Sequence, residues 1–273
     1  MKKSRISTIV CNAIGLLCVF MIYFKFYFML VSSVKSNPEI ISNPFTLSGT
    51  LRWENYVKAF EKVITYLGNS LVVTGLVVFG VLVVGTLTAY ILARFDFPYK
   101  NTIFIFILAF MMIPDTMTLI PSFVLVTRLG LINTYWAVIL PQIAGCQIMY
   151  ILVMRSVFEG IPRDLFAAAT IDGASHFQTF TKIVFPIARP MVISMLLITF
   201  LSSWNDFIWP LLTLSKESMK TVTVGLYSFA DAQQIMYGEM FAGFTLASIP
   251  LLVLFGFNMK YFITGITSGA IKA

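Results

Sequence analysis

The sequence predicts an all-α polytopic membrane protein: six transmembrane helices, both termini in the cytoplasm, and a two-helix cytoplasmic segment between the fourth and fifth spans. Three observations carry this. Of the 273 residues, 58% are hydrophobic, 15% aromatic and only 11% charged, whereas a soluble domain carries about 25% charged residues. Apolar runs near 8–33, 70–93, 102–126, 137–157, 188–212 and 240–263 each reach the ~20 residues that a spanning helix needs. The basic residues are unevenly distributed, which makes the net charge of +7 a matter of loop asymmetry rather than a nucleic-acid footprint. Lys2, Lys3, Arg5, Arg94, Lys100, Arg155, Arg163, Lys182, Arg189, Lys260 and Lys272 fall on one side. Lys35, Arg52, Lys58, Lys62, Arg128, Lys216 and Lys220 fall on the other, with Lys25 inside a span. Eleven against seven assigns the first group, and with it both termini, to the cytoplasm.

The first span has a basic start without a small-residue cleavage site after it, so it is expected to be retained. Lys25 interrupts it among Tyr23, Phe24, Phe26, Tyr27 and Phe28, a belt that favours snorkelling towards the outer interface. Cys11, Cys18 and Cys146 lie in apolar surroundings and are expected to be small core residues. Without a CxxC pattern they imply neither a disulfide nor a metal site. Residues 34–67 make the largest outer loop, with Pro38, Asn43, Pro44 and Gly49 at turns. Trp53-Glu54-Asn55-Tyr56 opens an interfacial helix, and Asn69-Ser70 begins the second span. Gly85, Ala89 and Ala93 recur every four residues, a small-residue stripe for close helix packing towards a partner subunit or a translocation path.

The third span carries Pro114 and Pro121, and both are expected to break it, as is tolerated where a helix lines a cavity. Asp115, beside the first break, faces either a polar path or the outer surface. The fifth span holds Trp204-Asn205-Asp206-Phe207-Ile208-Trp209-Pro210. A buried Asn-Asp pair between tryptophans suits sugar hydroxyls and rings. It also suits a gate or a structural polar cluster capping a helix break at Pro210, and structure or gating is the preferred reading. The last outer loop spans 215–238 and contains Gly225, Tyr227, Phe229 and Asp231.

Residues 161–190 read IPRDLFAAATIDGASHFQTFTKIVFPIARP. Pro162 fits a first helical turn, and Asp164 meets the positive end of the helix dipole. The alanines at 167–169 favour helix, and Gly173 stops it in the left-handed conformation. Ser175 with Gln178 is a capping box opening a second helix. Phe177, Phe180 and Val184 give that helix an apolar face, and Pro186 ends it. The expected product is two short helices joined by a glycine turn.

The run Ala168-Ala169-Thr170-Ile171-Asp172-Gly173-Ala174, followed by Phe180, Ile183 and Pro186, resembles the cytoplasmic coupling motif of ABC importer permeases. The resemblance is closest to the maltose-type carbohydrate permease without a long periplasmic insertion. It extends over nearly the whole chain, through Arg94-Phe95-Asp96-Phe97-Pro98, Gly130-Leu131-Ile132-Asn133-Thr134, the Trp204–Phe207 run and the tail from Lys260 to Lys272. Ala167 stands where the family usually has glutamate, so docking here would rest on shape. Tyr99 replaces the usual glycine of the 94–100 turn.

The resemblance implies that Ala167, Ala168, Ala169, Asp172, Gly173, Ala174, His176, Phe177 and Phe180 couple the chain to an ATPase subunit. It implies one transmembrane domain, 1–273, forming half of a carbohydrate path in a multi-pass protein of the cell membrane. Asp115, Trp204, Asn205, Asp206 and Trp209 are the path candidates. Expected partners are a second permease chain in a heterodimer, two ATPase subunits holding ATP and Mg, an extracytoplasmic solute-binding protein, and the lipid bilayer. In related importers the last outer loop reaches into the binding protein's ligand cleft. The sequence has no Gly-Lys and no Gly-Gly dipeptide, which excludes a P-loop and an LSGGQ-type signature. His176 is the single histidine, and no nucleophile or carboxylate accompanies it in a catalytic pattern. No catalytic, cofactor-binding or metal residue is therefore expected. Alternatives are an ion-coupled secondary transporter, an ABC importer for glycerol phosphate or a polyol, and a non-transport scaffold that uses the same docking surface.

Overall fold

A computed structural model describes residues 5–47, 49–229 and 236–270. Among them every regular element is helical. In chain order these are α1 (Arg5–Ser33), α2 (Asn37–Ser42), α3 (Glu54–Arg94), α4 (Lys100–Met112), α5 (Asp115–Arg128), α6 (Trp136–Glu159), α7 (Arg163–Ile171), α8 (His176–Asn205), α9 (Ile208–Thr213), α10 (Val222–Tyr227) and α11 (Tyr237–Ala270). Five helices are long and apolar enough to cross a membrane, or six if the bent pair α4 and α5 is one span. Lys2, Lys3, Asp231, Ile271 and Lys272 lie outside the described residues.

Several sequence expectations are corrected. No helix starts at Asn69: α3 runs unbroken for 41 residues, because no proline interrupts 54–94 and the apolar pattern continues through the polar pair. One wide π turn, Val81–Gly85, sits inside it. Pro114 does break the third span, and α4 and α5 meet at 101°. Ile113 before it is extended, as the residue preceding a proline prefers. Pro121 is carried within α5, like Pro141, Pro190 and Pro250 in their helices, a loss of one ladder bond that membrane helices absorb. The fifth span breaks at Asp206 and Phe207 rather than at Pro210, which sits in the first turn of α9, where its missing N–H is harmless. Pro186 does not end the second helix of the 161–190 segment. The π turn Phe180–Val184 precedes it and opens the ladder where a proline ring would crowd a carbonyl, so the helix continues to Asn205. Cys11 and Cys18 are exposed and Cys146 is half-buried, since α1 turns most of its surface outward.

The chain forms two compact units. The first comprises Met1–Leu67 and Gly225–Leu251. Its apolar centre includes Val31, Ile40, Ala59, Val63, Leu226, Phe229 and Ala242. Phe28 meets Phe241 edge-on at 5.4 Å. Asn55 Nδ2 donates to the carbonyls of Ser33 and Lys35 at 2.9 Å each. Lys35 is fully buried and donates through Nζ to the Asn43 carbonyl at 2.8 Å, at the C-terminus of α2, where a cation meets the negative end of the helix dipole.

The second unit comprises Gly68–Val224 and Leu252–Ala273. Its core joins Val73, Val77 and Val81 of α3 to Val138, Tyr150 and Met154 of α6 and to Val184, Val192 and Met195 of α8. The stripe on α3 faces α6 of the same chain, not a partner. A Cβ at Gly85 would stand 2.7 Å from the Tyr150 ring, Ala89 is fully buried, and Tyr150 hydroxyl and Thr86 Oγ1 share a buried hydrogen bond of 2.7 Å. Small residues let the two backbones approach.

Candidate functional site

Two groups of candidate residues lie at opposite ends of the second unit. α3 and α6 pack side by side: Tyr90 touches Phe158 edge-on at 6.0 Å, and Tyr135 hydroxyl donates to Asn69 Oδ1 at 2.7 Å. Arg94 and Glu159 therefore share one end, and Asn69 and Tyr135 share the other.

At the first end, α7 and the start of α8 form the tip of the 161–190 segment. Pro162 is the extended N-cap residue of α7 rather than part of its first turn, which holds Asp164. Gly173 adopts φ +73°. Around it Ala174 N–H donates to the Ala169 carbonyl (2.9 Å) and Gly173 N–H to the Thr170 carbonyl (3.1 Å), the paired bonds of a Schellman turn. Ser175 and Gln178 close the expected capping box, with Gln178 N–H donating to Ser175 Oγ at 3.2 Å and Ser175 N–H to Gln178 Oε1 at 2.9 Å. Backbone hydrogen bonds thus fix the turn.

The faces are divided. Ala167, Ala168, Asp172, Gly173, His176 and Phe177 are exposed and Ala174 is half-buried. Ile171 is 86% and Phe177 71% exposed, a pair of apolar side chains open at the tip. Ala169 is buried, and Phe180 turns inward against Tyr90 at 4.9 Å between ring centres. The apolar face expected for Phe177, Phe180 and Val184 is thus split: Val184 is fully buried, whereas Phe177 is open.

The tip is joined to the end of α3. The Arg94 guanidinium lies 3.7 Å over the buried Phe166 ring, and Phe95 meets His176 edge-on at 5.2 Å. The turn that follows α3 carries Tyr99 at φ +63°, in the left-handed region that a glycine adopts without a Cβ penalty. Arg94, Phe95 and Tyr90 were not picked out as site residues by sequence. Their signal was the Arg94–Pro98 turn, which has no spacing relation to residue 166.

At the other end, Asp206 is half-buried and follows α8 in extended conformation. Its Oδ2 accepts from Gln142 Nε2 at 2.7 Å, its Oδ1 from Trp209 N–H at 3.5 Å, and its carbonyl from Thr223 Oγ1 at 2.7 Å. Ser203 Oγ donates to Gln142 Oε1 at 2.6 Å and lies 3.3 Å from Thr74 Oγ1. The Asn-Asp pair is not buried as a pair, because Asn205 is exposed. Trp204 is buried and stacks on Phe200 at 5.5 Å, and Trp209 donates from its ring nitrogen to the Ala137 carbonyl at 2.9 Å. Asp115 is exposed in the first turn of α5, which packs on α9.

Around this group the loop after α9 is stapled down. Asn133, at φ +59°, accepts through Oδ1 from Ser215 N–H (2.7 Å), Ser215 Oγ (2.9 Å) and Lys216 N–H (3.0 Å). Asn69 Nδ2 donates to the carbonyls of Ser218 and Lys220 at 2.9 Å each. Gln142 and Asn69 were missed by sequence reasoning. Each is a polar residue within or beside an apolar run, and that was the available signal.

Residues 82–268 match the family described as the binding-protein-dependent transport system inner membrane component. The chain is 32% identical over 259 residues to the arabinooligosaccharides transport system permease protein AraQ of Halalkalibacterium halodurans, covering 93% of this chain and 92% of that one. It is 30% identical over 278 residues to the trehalose/maltose transport system permease protein MalG of Thermococcus litoralis, covering 100% and 99%. The fold matches a chain of a bacterial ABC transporter involved in import of the acidic polysaccharide alginate, with a TM-score of 0.82 at 22% identity over 96% of this chain and 98% of that one. The family match, these full-length relatives and the run of membrane-length helices together place the chain among the binding-protein-dependent transport system inner membrane components, the permease subunits of ABC importers.

Proposed function

We propose that this chain carries a carbohydrate across the cell membrane as one half of a heterodimeric permease, driven by ATPase subunits that dock on the 161–190 segment. The observation that carries the docking role is the open pair Ile171 and Phe177, held on a tip that a Schellman turn and a capping box make rigid. Exposed apolar side chains on a fixed backbone suit a partner's groove, because little ordering entropy remains to be lost on binding. Ala167, Ala168, Asp172, Gly173, Ala174 and His176 complete that surface, while Ala169 and Phe180 hold it from below. Both termini and this tip face the cytoplasm, in keeping with the basic residues of its end. ATP and Mg sit on the ATPase subunits, because the chain itself has no phosphate-binding loop.

Carbohydrate is the substrate class that the arabinooligosaccharide and trehalose/maltose relatives support. An extracytoplasmic binding protein delivers it, and rocking of the bundle alternates access to a central path. The whole of 1–273 acts as one transmembrane domain in this scheme. Asp206 and Trp209 take part by shaping the end of the path opposite the tip, and Asn205 and Asp115 by standing exposed beside it. Trp204 supports the wall from within.

The test is uptake by proteoliposomes that hold the full complex. Uptake should require ATP inside and should persist when an ionophore collapses the ion gradients. Uptake that survives without ATP and stops with the ionophore would replace this reading with a secondary transporter.

A further inference from the structure

We infer, resting on the docking role proposed above, that Arg94 is a positioning residue: with Phe166 it forms the joint through which the docked tip moves the end of α3. Three ring contacts cross between these elements: Arg94 over Phe166 at 3.7 Å, Phe95 against His176 at 5.2 Å, and Tyr90 against Phe180 at 4.9 Å. They engage both halves of the tip. Phe166 lies in α7, before the glycine turn, and His176 and Phe180 follow it. A displacement of either half therefore reaches the same turn of α3.

The Arg94 contact is the distinctive one. Among the described residues no carboxylate stands within ion-pair distance of Arg94, and its guanidinium lies over the Phe166 ring. Phe166 is 5% exposed, and a guanidinium over a desolvated ring face is among the stronger cation–π arrangements. Arg94 also ends α3, where a cation meets the negative end of the helix dipole. α3 continues from there into the core against α6 and α8. The joint thus links the proposed docking surface with a helix that runs into the core of the second unit, and it does so on the chain's own side of the interface. Phe166 is buried and Phe180 half-buried, whereas His176 is exposed, so the Arg94–Phe166 contact lies beneath the surface proposed to meet the ATPase.

The experiment uses the full complex with its binding protein, comparing Arg94→Met, Arg94→Lys and Phe166→Leu with the unaltered chain. Four quantities are read on one preparation: assembled complex, ATPase copurification, ATP hydrolysis and uptake. Arg94→Met keeps the stem and removes the charge. It should leave assembly, copurification and hydrolysis within about twofold, while uptake per ATP hydrolysed falls at least fivefold. Arg94→Lys should restore most of that ratio, and Phe166→Leu should lower it as Arg94→Met does. Combining Arg94→Met with Phe166→Leu should then be no worse than either alone, as for two halves of one contact. An unchanged ratio in Arg94→Met and Phe166→Leu overturns the joint. So does loss of assembly in both variants, which makes the contact one of folding rather than transmission. If the unaltered chain takes up sugar without ATP or brings down no ATPase, the docking role itself has failed.

Discussion

The two ends of the second unit are held by different forces. The end of α3 meets the tip through rings and one cation: Phe166, His176 and Phe180 on one side, Arg94, Phe95 and Tyr90 on the other. The opposite end is held by amides and a carboxylate. Asn133 accepts three hydrogen bonds, Asn69 donates two, and Asp206 joins Gln142, Trp209 and Thr223. Ring pairs stay favourable over centroid separations of about 4.5–7 Å. Hydrogen bonds weaken steeply once the angle falls below ~120°. The ring contacts of the first end therefore survive a small change of angle as the tip carries α3 with it, whereas the hydrogen bonds of the second hold one geometry. The comparison teaches that one unit can carry a yielding joint and a rigid clamp, and that side-chain chemistry, not helix count, sets them apart.

The largest effect expected is at Gly173, whose φ of +73° places the tip. A Cβ there meets nothing within 4 Å, so Gly173→Val acts through the backbone alone, at about 1–2 kcal/mol for a branched residue in the left-handed region. The Schellman turn should open, and uptake should fall at least tenfold while the helical content by circular dichroism stays the same. Gly173→Asn, a residue that tolerates this conformation, should retain most uptake. Full uptake in Gly173→Val would show that the tip needs no fixed geometry, and the contrast between the ends would lose its functional half.

At the clamp, Asn133→Gly keeps a backbone free to hold φ +59° and removes the side-chain acceptor. Ser215 and Lys216 are exposed, so water replaces part of the loss, and the cost should be about 1–2 kcal/mol. Thermal unfolding of the purified complex and limited proteolysis between 213 and 221 would report it. Unchanged protection there would mean that the loop is held by something other than Asn133.

Local features were legible in the sequence, and distant ones were not. The Ser175–Gln178 box and the Gly173 turn are set within a few residues, and both stand as read. The break at Pro114 was visible for the same reason, since a proline restricts its neighbour directly. The continuity of α3 through Asn69 was hidden, because a polar pair that ends a membrane run elsewhere is here satisfied about 150 positions on, Asn69 by the Ser218 and Lys220 carbonyls and Ser70 by Val222 N–H. Gln142 carried no motif until Asp206 and Ser203 came to it from α8 and its end. The inward turn of Ala169 and Phe180 also depended on where α3 lies, which spacing within 161–190 does not contain.

A smaller effect is expected at the open face of the tip. Phe177 is 71% exposed, so Phe177→Ala should change the stability of the chain by no more than about 0.5 kcal/mol, as surface substitutions do. Its effect belongs to binding. If the side chain fills a partner's groove, the variant should retain assembled permease but bring down severalfold less ATPase. Equal copurification would remove Phe177 from the docking surface and leave Ile171 as its apolar contact.

The smallest effect is expected at Asp206, one of the path candidates read from the sequence. Its carboxylate accepts from Gln142 Nε2 and from Trp209 N–H. Asp206→Asn leaves one oxygen, which can keep the Trp209 contact while the new amide faces Gln142. Gln142 can then turn its own amide over to accept from Asn. Its nitrogen would point to Ser203 Oγ, which accepts as readily as it donates and sits 3.3 Å from Thr74 Oγ1. The network survives with every group paired, so the cost should stay below about 1 kcal/mol, and yield, melting temperature and uptake should all remain within twofold of the unaltered complex. Gln142→Leu removes that freedom and leaves the half-buried carboxylate with one partner fewer, so it should cost more than Asp206→Asn. An Asp206→Asn complex of normal yield and melting temperature that no longer transports would mean that the charge itself, rather than its hydrogen bonds, serves the path. The clamp would then be a functional site as well as a rigid one.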